Sequence, residues 1–400
     1  MFLSELSKFA TSPIREEDET ASDLISRGNK VIKLNTGDPA IYLKTPEYIL
    51  NAYIDALKAN RTFYSDSRGV SVLREAVAKR YKRNYGISVD PDKVIVTQGL
   101  SEALYFLNTA LIDKGDEAVL IRPYYPAYIP YLEVLGGKAT LAEYDEDRNW
   151  EIDLDKLEKT AKSAKGAKYM LITTPNNPTG GVLQRGTLEG IVEIAKNYDI
   201  FLVSDEIYDE LVYEKKFVSL SEVAKGIPHI VMNGASKNFD ATGFRIGYVV
   251  FPNEDKKSEE LLRKIIDLAK MRLSANTPAQ YALAEGLDNE KEHERSVAQL
   301  REEIRGRVIF VTDQINKSEF MHAVKPQGAF YVFPKVNFEK LKLKDDKEFV
   351  RKLLLEEFVQ VTRGSGFGAP NHIRVVALPS KDVLNEAINK IEKFCKKYSK

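Results

Sequence analysis

Five short runs between Lys93 and Phe251 restrict the fold more than anything else in this 400-residue chain. Val94-Ile95-Val96-Thr97, Ala118-Val119-Leu120-Ile121, Tyr169-Met170-Leu171-Ile172-Thr173, Phe201-Leu202-Val203-Ser204 and Ile230-Val231-Met232 are largely apolar and do not alternate. A strand with one wet face needs a polar residue at every second position, so runs of this kind read as strands covered on both faces. Helical periodicity over 101–111 and 188–198 separates some of them. The pattern predicts an α/β fold with a mostly parallel sheet.

Such a chain is longer than one comfortable core. The expected division is a large unit over 46–285 and a smaller α+β unit made of 1–45 and 286–400. The first 30 residues read as polar and helical, and Val31-Ile32-Lys33-Leu34 as a strand. Asn35-Thr36-Gly37-Asp38-Pro39 then reads as a turn, because glycine admits a positive φ and proline bars the residue before it from helix. Further helices are expected over 45–59, 71–85, 255–272, from 277, and over 292–316, 347–358 and 381–397. Strands are expected at 328–333 and 372–376.

Lysine plus arginine equals aspartate plus glutamate at 59 each, which removes any global electrostatic case for nucleic acid or an anionic membrane. Cys395 is the one cysteine and the four histidines are scattered, so neither a disulfide nor a clustered metal site is expected. No apolar stretch approaches a membrane span, and the first residues lack a basic region followed by an apolar core. The cytoplasm is the expected compartment, with small molecules or further copies of the chain as partners.

The strand ends carry the chemistry. Thr97-Gln98-Gly99-Leu100-Ser101 is a strand end followed by a helix start, where free amides and the positive end of the helix dipole suit a phosphate. Ser101 reads equally well as a plain N-cap. Tyr124 and Tyr125 offer flat rings, Asn176 and Asn177 lie in a rigid Asn/Pro turn, and Asp205 ends an apolar run with no partner in the nearby sequence. A buried carboxylate there needs a cation or a strong donor. Ser236-Lys237 follows the fifth run, and Arg245 beyond it has a planar fork suited to phosphate. Phosphate cradle, ring platform, carboxylate, phenol, amide and lysine together are what pyridoxal phosphate asks for.

In the order and spacing of Asn35-Thr36-Gly37-Asp38-Pro39, Asn177-Pro178-Thr179-Gly180, Asp205-Glu206-Ile207-Tyr208, Ser236-Lys237 and His372-Ile373-Arg374, the chain resembles the class I/II aminotransferases, which are fold type I pyridoxal-phosphate enzymes with a mixed, mostly parallel sheet. Met271-Arg272-Leu273-Ser274-Ala275-Asn276-Thr277-Pro278 and Lys325-Pro326-Gln327-Gly328-Ala329-Phe330-Tyr331 most resemble the archaeal alanine aminotransferases. The resemblance implies that Lys237 carries the cofactor, Asp205 pairs with its ring nitrogen, and Tyr208 and Asn177 hold its ring oxygen. It places Tyr125 against the ring and gives the phosphate to Gly99, Leu100, Ser101, Ser236 and Arg245. Tyr64 matches a tyrosine that reaches a neighbouring subunit's phosphate, so a homodimer is implied. Arg374 and Gly37 match the site of the substrate α-carboxylate. Gly234 stands where many relatives have a further phosphate-binding serine.

The implied reaction passes the amino group of an amino acid, alanine first, to 2-oxoglutarate, giving pyruvate and glutamate. Aspartate or aromatic transamination and carbon–sulfur lysis are the rivals on the same scaffold. Arg272 is weighed as a cation for a second substrate carboxylate and reads instead as a solvated helix end. A regulator with a DNA-binding module finds no room ahead of the resemblance, and the glycines at 364–368 precede a strand instead of opening a helix after one, which excludes a dinucleotide loop.

Overall fold

An eight-stranded mixed sheet organises the molecule, whose computed structural model describes residue 2 and residues 5–9, 12–164 and 166–400. Its strands are β1 (Val94–Thr97), β2 (Glu117–Arg122), β3 (Lys138–Asp145), β4 (Glu151–Ile152), β5 (Tyr169–Thr173), β6 (Phe201–Asp205), β7 (His229–Gly234) and β8 (Gly247–Val250). They stand in the order β1-β8-β7-β6-β5-β2-β3-β4. Neighbours from β7 to β3 are parallel, while β8 runs against both β1 and β7 and β4 runs against β3. The reversal of β8 matters for function, because the residue that leads into it leaves the sheet at the edge where the parallel strands finish.

The five apolar runs are strands within a residue or two of the sequence reading, and both faces are covered. Leu120, Leu171, Val203 and Met232 pack with Leu104, Leu107 and Ile265 on one side, while Val119, Met170, Ile172 and Leu202 pack with Leu157, Leu188 and Ile191 on the other. Each consecutive pair therefore faces opposite layers, which is why no alternation shows in the sequence.

A second core forms where the Glu290–Ile315 helix packs Ile304, Val308 and Val311 against Phe349, Leu353, Ile391 and Phe394. Small sheets frame it: Ile32–Lys33 pairs in parallel with Val359–Gln360, and Ile373–Val376 lies between Tyr331–Val332 and Thr362–Arg363. The strand expected at 328–333 shrinks to Tyr331–Val332, because Gly328 bridges to Val212 and Ala329 takes a left-handed φ of 56°. Of the helix expected over the first 30 residues, Asp18–Ser26 forms, preceded by the single turns Glu5–Phe9 and Pro13–Arg15. Residues 1, 3, 4, 10 and 11 of that expectation lie outside the described residues. Among the described residues no helix is long and apolar enough to cross a membrane.

Gly37 corrects another expectation. It is not among the residues of positive φ; its lack of a side chain matters because a Cβ would overlap the Tyr331 hydroxyl.

Below the sheet edge, buried Asp209 accepts from Arg80 Nη2 at 2.6 Å and from Asn238 Nδ2 at 2.7 Å, and also from the Tyr85 hydroxyl. Asn238 adjoins Lys237, so this cluster clamps the segment that carries the lysine. Arg80→Met leaves the Asp209 charge buried without its cation, and denaturant unfolding of the variant is expected to show a loss of about 3–5 kcal/mol.

Candidate active site

Every candidate side chain on the large sheet comes from one edge. β7 ends at Gly234, which is extended; a Cβ there would lie 2.6 Å from the Ile246 carbonyl oxygen and 2.8 Å from Gly247 Cα on reversed β8. A serine at this position would therefore force β8 to shift. The short Ala235–Asn238 helix follows and turns Lys237 into the site. Lys237 Nζ donates to the Gly37 carbonyl at 2.6 Å. Burial pushes its amine down to about 8; Asp38 works against that fall, and the Arg374 and Arg245 charges reinforce it.

Asp205, the last residue of β6, is buried opposite. Its Oδ2 accepts from the Tyr128 hydroxyl at 2.7 Å and its Oδ1 from the Ile207 amide at 3.2 Å. Tyr128 also lies 2.9 Å from Thr173 Oγ1. Burial pushes the Asp205 carboxyl up to about 6, with the Tyr128 and Ile207 hydrogen bonds and the Lys237 charge holding it back. A carboxylate kept here at such a desolvation cost suits a ligand cation.

At the other end the Leu100–Leu111 helix starts from Gly99 at φ 72° with no side-chain cap. Ser101 is thus inside the first turn and is not the N-cap, and the first amides are open to an anion. A Cβ on Gly99 would collide with the Arg245 guanidinium, so the glycine lets that cation lie against the helix start. Arg245 itself takes a left-handed φ of 54° and donates through Nη1 to the Thr242 carbonyl at 2.9 Å.

Arg374 lies on the Ile373–Val376 strand, fully buried. Nη1 donates to Asn177 Oδ1 at 2.9 Å and Nη2 to the Asn35 carbonyl, while Nε has no partner. The Tyr331 and Phe367 rings lie 4.7 and 4.8 Å from its guanidinium carbon. Tyr208 and Tyr331 share a hydrogen bond of 2.7 Å between their hydroxyls.

These groups enclose a cavity of about 540 Å³ lined by Gly37, Leu100, Ser101, Tyr125, Asn177, Asp205, Tyr208, Ser236, Lys237, Arg245 and Arg374. Two of the expected residues stand apart from its wall: Gly99 backs onto Arg245, and Tyr64 is on the surface, 80% exposed. Arg272, expected in solvent, is instead drawn in. It donates through Nη2 to the carbonyls of Ser67 and Val96 at 3.0 and 3.2 Å, sits 3.5 Å from Glu102, and does not line the cavity.

Sequence reasoning missed Tyr128, Thr173, Asp38, Thr242 and Tyr331, and also Ser12, Ile14 and Arg15 of the N-terminal segment, all of which line the same cavity. Tyr128 is the most consequential. Tyr128→Phe removes one of the two hydrogen bonds on Asp205, and a bond to a charged group is worth about 1.5–3 kcal/mol. A fall in kcat of about tenfold or more, with a lower melting temperature of the cofactor-free chain, is the expected outcome of steady-state kinetics and thermal unfolding.

The family model for aminotransferase class I and II matches residues 29–391. Among solved structures, the alanine aminotransferase from Pyrococcus furiosus superposes with a TM-score of 0.93 at 38% identity, covering 99% of this chain and 100% of that one. The aspartate aminotransferase of Thermotoga maritima is 34% identical over 97% of this chain and 98% of its own length. A (5-formylfuran-3-yl)methyl phosphate transaminase of Methanocaldococcus jannaschii is also 34% identical, over 99% of this chain and 100% of its own.

Proposed function

The chain belongs to the class I and II aminotransferases, and we propose that it uses pyridoxal phosphate to move the amino group of L-alanine to 2-oxoglutarate, giving pyruvate and glutamate. The observation that carries this reading is one cavity holding a lysine amine depressed by burial, a buried carboxylate and the uncapped start of a helix.

Lys237 Nζ would carry the cofactor, and burial favours the neutral amine that this requires. Asp205 would pair with the ring nitrogen, Tyr208 and Asn177 would hold the ring oxygen, and Tyr125 would lie against the ring. The open amides of Leu100 and Ser101, with the Ser101 and Ser236 hydroxyls and Arg245, would hold the phosphate, while the Gly99 amide is taken by the Thr97 carbonyl at 2.9 Å. When bound, pyridoxal phosphate supplies an electron sink joined to the substrate nitrogen. The Lys237 amine would serve as the base for the proton on the substrate α-carbon. Arg374 grips the α-carboxylate as a fork, beside the space that Gly37 leaves open.

The small donor is supported by Arg272, which stands outside the cavity wall with its Nη2 turned to the Ser67 and Val96 carbonyls. Residues 46–285 form the unit that holds the cofactor, and 1–45 with 286–400 the unit that carries Arg374. Exposed Phe63, Tyr64, Met271 and Leu273 support a homodimer in which Tyr64 completes the neighbouring phosphate site. Cytoplasmic residence fits a chain with a single buried cysteine.

Mixing the yellow holoenzyme with excess L-alanine and no oxo acid tests the donor. Bleaching of the cofactor band with release of pyruvate is expected. Bleaching by L-aspartate or an aromatic amino acid, and not by alanine, would replace alanine as the donor.

A further inference from the structure

Asp240, three residues beyond Lys237, is 3% exposed, yet among the described residues its Oδ1 has no hydrogen-bond partner and its carboxylate enters no ion pair. Only its backbone carbonyl is engaged, by Thr45 Oγ1 at 2.6 Å. Other carboxyls of the described residues buried to this depth have at least one donor, as Asp209 has Arg80 and Asp346 the Ser365 amide. An unpartnered buried carboxyl costs stability unless something answers it.

Asp240 also lines a separate cleft of about 490 Å³, between the start of the Glu47–Lys58 helix and the Glu290–Ile315 helix. Four carboxyls line it against two cations. Arg295 is taken by Glu292 at 2.6 Å and Glu303 by Arg307, which leaves Asp240 and Glu47 facing one exposed lysine, Lys44. Leu43, Pro46 and Leu300 supply an apolar wall. Among the described residues no group of three or more His, Cys, Asp or Glu side chains is placed to hold a metal ion.

We propose that this cleft binds an organic ammonium ion, with its charge on Asp240 and its carbon stem along Leu43, Pro46 and Leu300. The site is distinct from the cofactor cavity, although Asp240 lies close enough to Lys237 for the two charges to interact. Burial pushes the Asp240 carboxyl up to about 7; the Lys237 charge holds it back, and Glu303 and Asp38 push it further. Binding therefore strengthens as pH rises through that value.

Calorimetric titration of the holoenzyme with N,N-dimethylbutylammonium tests the site, since a tertiary amine cannot condense with the cofactor aldehyde. One binding event per chain is expected, present in Lys237→Ala and at least about tenfold weaker in Asp240→Asn. Asparagine keeps the shape and tolerates the left-handed φ of 47° found here. Gln299→Trp, at an exposed position of the cleft wall, is expected to block binding while leaving Asp240 in place. No binding to the wild-type chain, undiminished binding to both cleft variants, loss of binding in Lys237→Ala, or displacement by equimolar potassium would each overturn the proposal.

Discussion

Replacing Lys237 with alanine is expected to lower kcat by at least about 10⁴-fold, or about 5.5 kcal/mol of barrier, while leaving a folded chain that still binds the cofactor. Among the described residues no other amine lines the cavity to take over its proton transfer. The phosphate contacts proposed for the Leu100–Leu111 helix start and Arg245 do not depend on the lysine, which is why binding should survive. Kinetics with either amino donor, read beside the cofactor absorbance, separates these effects. Turnover near that of the wild type would contradict the role. The same amine has a second signature: in the cofactor-free chain its labelling by an acylating reagent is expected to rise as pH passes about 8, well below an ordinary lysine.

Asp205→Asn is expected to lower kcat by about 10³-fold, because an amide cannot keep the ring nitrogen protonated and the electron sink weakens. A loss below about tenfold, 1.4 kcal/mol, would argue against the pairing. The stability of the cofactor-free chain should move the other way. Burial raises the Asp205 carboxyl from its ordinary range to about 6 in the folded chain, so the folded state binds that proton more tightly than the unfolded one. Its contribution is present at low pH and is lost as pH rises from about 4 through about 6. At pH 8 the wild-type carboxylate therefore costs stability that the isosteric amide does not, and Asp205→Asn is expected to melt at a higher temperature without cofactor. That inverse pattern is what a charge kept for a ligand produces.

Much of the sheet was legible because burial on both faces leaves a mark that needs no partner to be read. β3 left none: Lys138–Asp145 is partly exposed along much of its length and its charged residues break the apolar run. β8 was hidden for another reason. Gly247–Val250 follows directly on the motif that ends at Arg245, and nothing in its four residues announces that it runs backwards. Yet that reversal brings Arg245 to the shared edge.

Strand ends could be read as candidates because each finishes an apolar run, and the structure gathers most of them around one cavity. Partners across long stretches could not be read. Tyr128 reaches Asp205 from 77 residues away and looks in sequence like one more tyrosine in an aromatic run. The reason for glycine at Gly37 was equally remote, set by the Tyr331 hydroxyl and not by a local turn. Arg272 shows the opposite failure: the end of a charged helix suggests solvent, and only the loop at Ser67 and the strand end at Val96 turn it inward.

The most direct measurement is to find which amine carries the cofactor. Borohydride reduction of the yellow holoenzyme fixes the cofactor to that nitrogen, and digestion with peptide mass spectrometry locates the added mass. A single modified peptide containing Ser236-Lys237-Asn238 is the expected result. A modified lysine elsewhere, or a chain that takes up no pyridoxal phosphate, would contradict it.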